Sequence, residues 1–385
     1  MRFSAKTALS VWLLIVGASC LAHAAPKQTQ LPISSWRDLS PHMVQFVTVE
    51  KDIKLEVVDW GGTGRPLVFL SGLGNTAHVF DDFAPKFTSQ YHVYGITRRG
   101  YGASSVPPVG GSNYSADRLG DDVLAVLGAL KIEKAVLVGH SIAGEELSSV
   151  ATRYPERVAG LIYLDAAYFY AYYSPAGGPE NVALDLTILQ REAAKLQSSP
   201  TDRAAIDEML NQDLPAVEAD LREMQEMPSD SVPARPQPPP PTDADMLNCH
   251  SFVTWEQRVV GYRPPQSECQ QLHVFTPDGH VGPLLAKPET TQAVVAGEQK
   301  YTDIHVPILA IFALPHDPGL FYHNDPLLEA WEERDLRLTS PLVDAFQKGN
   351  PSARVVRLPG ASHYVFLTNE ADVLREMRAF LGTLS

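Results

Sequence analysis

The chain has few cysteines and little positive charge. Only three of its 385 residues are cysteine, too few for a fold held together mainly by disulfides. Its 31 lysines and arginines are outnumbered by 45 acidic residues, giving a formal net charge of -14. This balance argues against a nucleic acid partner, because phosphate binding needs a concentrated positive field.

No internal repeat is visible. Beyond the N-terminus no apolar run is long enough to cross a bilayer, so we expect no stable membrane span.

The N-terminal segment has the pattern of an export signal. A short basic start precedes the apolar run 8–16, and alanines at 22 and 24 are the small residues that a signal peptidase reads. We expect a cleavable signal peptide over residues 1–24 and a secreted or periplasmic protein. An alternative is a lipoprotein signal ending at Cys20, although Gly17 lies where such signals favour a large aliphatic residue.

Export gives the two remaining cysteines a default role. In an oxidising compartment we predict that Cys249 and Cys269 form a disulfide. His250 and His273 lie beside them, so a zinc site is the alternative, but the spacing matches no standard metal motif. We therefore expect no metal and no organic cofactor.

Apolar strands alternate with helical patterns in two parts of the chain, 44–165 and 304–384. Strands that are apolar throughout imply a mostly parallel central sheet with helices on both faces, an α/β fold. The alternation is absent from residues 166–303. We interpret that segment as an insertion folded over the sheet as a cap or lid, with an extended Pro-rich loop at 232–242.

One predicted strand runs directly into Gly-His-Ser-Ile-Ala-Gly at 139–144. A strand that turns at once into a helix needs small residues, and the turn lifts the serine hydroxyl out of the backbone. A serine nucleophile also needs a base and a group that orients the base. His363 and Asp317 each follow a later predicted strand, so we expect them at the same sheet edge as Ser141. Asp165, after the strand that follows the elbow, is the alternative acid.

These residues and their order resemble the α/β-hydrolases, the family of carboxylesterases, lipases, epoxide hydrolases and dehalogenases. The resemblance covers about 44–165 and 304–384. It implies that Ser141 is the nucleophile, that His363 is the general base and then the general acid, and that Asp317 is the orienting carboxylate.

The resemblance also implies an oxyanion hole made by the backbone N–H groups of Leu73 and Ile142. The chain departs from the family pattern in three places. Ser71 replaces the usual histidine before the oxyanion turn, Thr97 stands where an aspartate is common, and Ala143 occupies the second glycine position of the elbow. The nucleophile is serine rather than aspartate, which argues against epoxide hydrolase or dehalogenase chemistry.

The tyrosines Tyr168, Tyr170 and Tyr364 have two interpretations. They line a substrate pocket for an apolar or aromatic molecule, or they pack between the cap and the sheet. We expect His140 to pack beside the nucleophile rather than to act as a second base.

Several charged residues near these motifs have structural interpretations. We expect Glu145 and Glu146 to be structural, because the helix dipole favours acids in the first turns of the elbow helix. We interpret Arg98 and Arg99 as solvated or as anchors of their loop.

The sequence therefore predicts an exported serine hydrolase that cleaves a carboxylic ester of a small molecule through an acyl-enzyme. Other bonds open to the same machinery are an amide or peptide, a thioester, or a carbon–carbon bond in a β-diketone. A lipase with a mobile lid is a further alternative. A non-catalytic binding protein on the same fold is an alternative of a different class. Specificity would be set by the insertion 166–303.

Overall fold

The computed structural model describes residues 41–227 and 232–384. The expected signal peptide, 1–24, and Cys20 lie outside the described residues. The strands are β1 Met43–Glu50, β2 Ile53–Gly61, β3 Arg65–Leu70, β4 Tyr91–Ile96, β5 Ala135–His140, β6 Val158–Leu164, β7 His273–Phe275, β8 Val281–Leu284, β9 Ile308–Ala313 and β10 Arg354–Leu358. The helices are α1 Ala116–Ala129, α2 Ala143–Arg153, α3 Val182–Ser198, α4 Arg203–Glu208, α5 Leu214–Glu226, α6 Cys249–Val260, α7 Gln266–Leu272, α8 Pro288–Val295, α9 Leu328–Gly349, α10 Val365–Thr368 and α11 Glu370–Leu381.

Within the described residues, eight strands form one sheet in the order β1-β2-β4-β3-β5-β6-β9-β10. The six strands from β4 to β10 in that order pair in parallel. Strands β1 and β2 are antiparallel at one edge. The predicted mostly parallel α/β sheet is confirmed.

The sheet separates two apolar layers, because successive side chains of a strand point to opposite faces. On β5, Leu137 joins the layer that contains Leu147 of α2. Its neighbour Val138 joins the opposite layer with Met377 of α11. All six residues of β5 are buried, as expected for a strand covered on both faces. Among the described helices, none is long and apolar enough to cross a bilayer.

Between β6 and β9 the chain forms α3 to α8 and the hairpin β7–β8. The predicted disulfide is confirmed: Cys249 and Cys269 join α6 to α7 with their Cα atoms 5.8 Å apart. The cluster around this bond is small, with Val253 and Val281 as its other buried apolar members. The Pro-rich loop is tied to the C-terminal part of the chain, where Trp331 Nε1 donates to a proline carbonyl over 2.8 Å.

The disulfide makes a testable contribution to this small cluster. Cys249→Ser with Cys269→Ser opens a loop whose ends are 20 residues apart. We expect the cap to lose about 3 kcal/mol of local stability, because the crosslink no longer restricts the unfolded chain. Hydrogen exchange measured by mass spectrometry should speed up in α6 and α7 and stay unchanged in β5 and β9. Unchanged protection of α6 and α7 would contradict the prediction.

Candidate active site

Polar residues follow the strand ends at one edge of the parallel sheet. The hydrogen-bond ladder continues past the strands, since Ser141 N donates to Leu164 O (3.3 Å) and Asp165 N donates to Ile311 O (2.7 Å). Ser141 and Asp165 therefore lie on adjacent strand ends, directly after β5 and β6. His363 reaches the same edge from the loop after β10.

The turn at Ser141 is a strained elbow. Ser141 has a φ of 55°, in the left-handed region that costs a non-glycine residue about 1 kcal/mol. Two glycines permit the turn: a Cβ on Gly139 would lie 2.7 Å from Leu147 Cδ1, and one on Gly144 would lie 1.9 Å from Ala166 O. The glycine that the elbow requires is thus at 144, which is why alanine is tolerated at 143.

The structure corrects the predicted acid. His363 Nδ1 lies 2.6 Å from Asp165 Oδ2, so the alternative acid is the one that contacts the base. Asp317 does not contact His363. Its Oδ1 instead accepts from Gly319 N and from His323 Nε2, each at 2.8 Å.

The correction has a local cause in the chain after β9. His316 forms a parallel bridge with Ala361, and Asp317 N donates to Ala361 O at 2.8 Å. Consecutive side chains of an extended segment point to opposite sides. His316 therefore points towards Asp165, and Asp317 points away from it.

Asp165 is fully buried and accepts four hydrogen bonds. Its Oδ2 faces His363 Nδ1 and, at 2.8 Å, His316 Nε2. Its Oδ1 accepts from the Tyr168 hydroxyl at 2.5 Å and from Ala313 N at 2.9 Å. Burial alone would raise the pKa of Asp165, but the charge of His316 and the bonds from both histidines hold that pKa far below its ordinary value. The two histidines therefore favour the ionised form of this carboxylate.

His140 supports the base from behind. Burial lowers the pKa of His140 to about 3, so its ring is neutral. Its Nε2 lies 3.0 Å from the backbone oxygen of His363 and must donate there, since a carbonyl only accepts. Its ring packs 4.6 Å from the His363 ring. His140 therefore holds the loop of the base, consistent with the expected packing role.

The turn after β3 lies against the nucleophile. A Cβ on Gly72 would be 3.1 Å from Ser141 Cβ. The peptide between Gly72 and Leu73 can therefore lie close to Ser141 only because residue 72 is glycine. Within the described part of the chain, the N–H groups of Leu73 and Ile142 donate to no backbone acceptor. The oxyanion hole formed by these two amides stays a prediction.

Arg98 holds this turn from inside the protein. It donates from Nη1 to Gly72 O (3.2 Å) and from Nη2 to Ser71 O (2.8 Å), and its Nε pairs with Glu146. The Gly72 carbonyl and the Leu73 N–H belong to one planar peptide, so holding the carbonyl also orients the N–H. Arg98 is 4% exposed, so the solvated interpretation of this residue is wrong.

Arg98→Lys tests this anchoring role. Lysine keeps the charge opposite Glu146 but loses the planar fork that reaches two carbonyls. We expect kcat on an ester to fall about 10²-fold with KM little changed, as when one oxyanion donor is lost. Arg99→Lys is the matched control, because Arg99 pairs with Asp122 at 2.6 Å away from the turn. Equal kcat for Arg98→Lys and the unmodified protein would contradict the role.

Sequence and structure comparisons bear on the fold. A family model described as alpha/beta hydrolase fold matches residues 65–223. The solved structure of an E-2-(acetamidomethylene)succinate hydrolase superposes with a TM-score of 0.54 at 16% identity, covering 89% of this chain and 100% of that one. The chain has the α/β-hydrolase fold.

Curated relatives match this chain over part of their length. A 3-oxoadipate enol-lactonase 2 of Acinetobacter baylyi is 35% identical over 127 residues, 33% of this chain and 46% of that protein. A fluoroacetate dehalogenase of a Burkholderia species is 33% identical over 116 residues, 29% of this chain and 38% of that protein. The chain spans less than half the length of either relative.

The three tyrosines that the sequence singled out have different contacts. Tyr168 is bound to Asp165 through its hydroxyl. The Tyr364 hydroxyl donates to Asn75 Oδ1 at 2.9 Å. Both are therefore engaged within the protein. Tyr170 interacts with the Ser141 side chain and so borders the nucleophile.

The insertion touches the segment after the oxyanion turn through Glu268, a residue that sequence reasoning missed. Its Oε1 accepts from Asn75 Nδ2 and from Thr76 N, each at 3.0 Å, and its Oε2 accepts from the Thr76 hydroxyl. Burial raises the pKa of Glu268 to about 7. Because the disulfide residue Cys269 follows it directly, the crosslink and the turn are joined through one residue of α7.

Two clusters of described residues bring metal-ligand atoms within 4.8 Å of one another: Asp165 with His316 and His363, and His42 with His78 and Asp81. In both clusters the atoms are already engaged with one another. His78 Nδ1, for example, lies 2.9 Å from Asp81 Oδ2. We interpret both as hydrogen-bonded networks. Sequence reasoning misses His316, because it places the functional residue after β9 at the neighbouring Asp317.

Proposed function

We propose that the protein is an exported serine hydrolase that cleaves carboxylic esters of small molecules through an acyl-enzyme. The observation that carries the proposal is the 2.6 Å contact of His363 Nδ1 with Asp165, at the sheet edge where the strained elbow presents Ser141. A buried carboxylate on Nδ1 selects the tautomer with its proton on Nδ1, so that Nε2 is the nitrogen that accepts a proton.

In the proposed acylation step, Ser141 Oγ attacks the ester carbonyl carbon while His363 Nε2 takes the serine proton. The carbonyl oxygen becomes an oxyanion and receives hydrogen bonds from the N–H groups of Leu73 and Ile142. His363 then gives the proton to the leaving alcohol as the C–O bond breaks. Asp165 stays ionised throughout and stabilises the imidazolium that forms.

Deacylation repeats these steps with water. His363 takes a proton from water, the hydroxide adds to the acyl carbon, and the proton returns to Ser141 Oγ as the acid product leaves. Each residue thus acts twice, which requires that His363 be neutral before each attack.

Further features support an ester substrate of limited size. One relative is named as an enol-lactonase, and a lactone is a cyclic ester. Ser141 is 8% exposed, which favours a small molecule over a polymer. The Cys249–Cys269 disulfide and the N-terminal pattern support export, since disulfides persist in oxidising compartments.

The test combines a covalent probe with a substrate panel. A fluorophosphonate should label Ser141, located by mass spectrometry, and should not label Ser141→Ala. p-Nitrophenyl acetate, butyrate and octanoate should be hydrolysed at least 10-fold faster than matched anilides. Faster anilide cleavage would favour an amidase. Cleavage of a β-diketone without ester turnover would favour a carbon–carbon hydrolase, and activation on triglyceride droplets would favour a lipase. Absence of labelling and turnover would favour a binding protein.

A further inference from the structure

A second histidine, His316, contacts Asp165 in addition to His363. His316 Nε2 is 2.8 Å from Asp165 Oδ2. Its Nδ1 is 3.0 Å and 3.1 Å from the two carboxylate oxygens of Asp335 in α9. The His316 backbone N–H also donates to Asp335 Oδ2 at 2.8 Å. The side chains therefore form a continuous row, Asp335, His316, Asp165 and His363.

The row sets the protonation of His316. An ionised carboxylate only accepts hydrogen bonds, so each ring nitrogen of His316 must donate, and the ring is an imidazolium. Burial by itself would lower the pKa of His316, but the charges and hydrogen bonds of Asp165 and Asp335 raise it to about 10. Among the described residues, the titratable groups around the His316 ring are Asp165, Tyr168, His363 and Asp335. The charged groups that lie beyond Asp335 are Glu180, Arg235 and Arg334.

We propose that His316 is a positioning residue of the reaction: it holds the Asp165 carboxylate in line with His363 and offsets part of the Asp165 charge. This inference rests on the proposed function.

The positioning part follows from the contacts of Asp165. A carboxylate offers about four lone-pair sites, and here all four are filled, by His363, His316, Tyr168 and Ala313. Removing the His316 contact leaves Oδ2 with a single partner. The carboxylate is then less firmly directed at His363.

The electrostatic part has a definite sign. A nearby carboxylate stabilises the imidazolium form of a histidine and raises its pKa. A cation on the far side of Asp165 weakens that stabilisation. Hydrolysis needs the base in its neutral form, so kcat/KM falls at acidic pH. Replacing His316 by a neutral residue removes the cation, and the acidic limb of the profile should move to higher pH, by roughly one unit.

The experiment measures kcat, KM and the pH dependence of kcat/KM on one p-nitrophenyl ester. For His316→Gln we expect kcat to fall about 10-fold, KM to stay near its original value, and the acidic limb to move up. His316→Lys restores a cation beside Asp165 and should return the limb to its original position even where kcat stays low. A variant that disturbs packing alone would lower kcat without moving the limb. His316→Gln with an unchanged kcat and limb overturns the inference.

Two further measurements cover a folding failure. His316→Gln with Asp335→Asn removes one cation and one anion together, so the net charge of the row is unchanged, and a shift of the limb in the same upward direction is expected. ¹⁵N NMR of the unmodified protein provides the second measurement, with the His316 ring signals assigned through the His316 backbone. Both ring nitrogens of His316 should be protonated at pH 8. A neutral His316 ring at that pH overturns the inference without any variant.

The outcomes also separate the two proposals. If the unmodified protein is not labelled by a fluorophosphonate and cleaves no ester, the proposed function fails, while the NMR measurement still reports the state of His316. Suppose that labelling and ester cleavage both depend on Ser141, and that His316→Gln has the same kcat and the same acidic limb as the unmodified protein. The inference about His316 then fails, and the proposed function stands.

Discussion

Asp165→Asn lowers kcat on an ester by about 10⁴-fold, whereas Asp317→Asn leaves kcat within about two-fold; this is the result we expect from the contacts of the two carboxylates. An asparagine at 165 presents an amide NH2 as well as an oxygen to His363 Nδ1. The amide favours the His363 tautomer that carries its ring proton on Nε2. In that tautomer Nε2 cannot accept the proton of Ser141. Asp317 holds Gly319 and His323, and its loss does not reach the base.

The two variants form a matched pair, because each exchanges one carboxylate for one amide at a strand end. Asp165→Asn also takes one of two carboxylate partners from the buried His316, the other being Asp335, and losing a partner of a buried ion is costly. Circular dichroism and urea unfolding should therefore accompany the kinetics, so that kcat refers to folded protein. A larger loss in Asp317→Asn than in Asp165→Asn would return the acid to the residue that the sequence favoured.

Ser141→Ala should lower kcat by about 10⁶-fold, because without Oγ no acyl-enzyme forms and only binding and the oxyanion donors remain. The kinetics should be measured on p-nitrophenyl butyrate with the fluorophosphonate as a second readout. Turnover above about 1% of the unmodified rate would rule out Ser141 as the nucleophile.

Ser141→Gly separates catalysis from the strain of the elbow. The φ of 55° at this residue costs serine and alanine about 1 kcal/mol but costs glycine nothing. We expect Ser141→Gly to be as inactive as Ser141→Ala and more stable than it by about 1 kcal/mol in urea unfolding. A glycine variant less stable than the alanine variant would show that the turn is not strained.

Local features of this protein were predictable because their causes are local. The parallel strands follow from apolar runs such as β5, whose residues are all buried. The elbow follows from Gly139 and Gly144, whose neighbours leave no space for a Cβ. The disulfide between Cys249 and Cys269 follows from the cysteine count in a chain expected to be exported.

The choice of acid was beyond sequence reasoning because two aspartates follow strands of the same sheet. Which one contacts His363 depends on the direction of a side chain, and one residue of difference in an extended segment reverses that direction. After β9 the residue that points inward is His316 rather than Asp317. No pattern in the sequence marks that alternation beyond the end of the strand.

By itself, the sequence determined the sheet, the elbow that carries Ser141 and the position of His363 at the same edge, since spacing along one short segment sets each of these. Only the tertiary structure decided the partners. Asp165 and His363 are separated by 198 residues. Arg98 reaches the turn at 71–72 from another strand end, and Glu268 of α7 contacts Asn75 in the segment after that turn. Such contacts depend on where the whole fold brings distant backbone segments together, and hydrogen-bond geometry selects among them within a few tenths of an ångström.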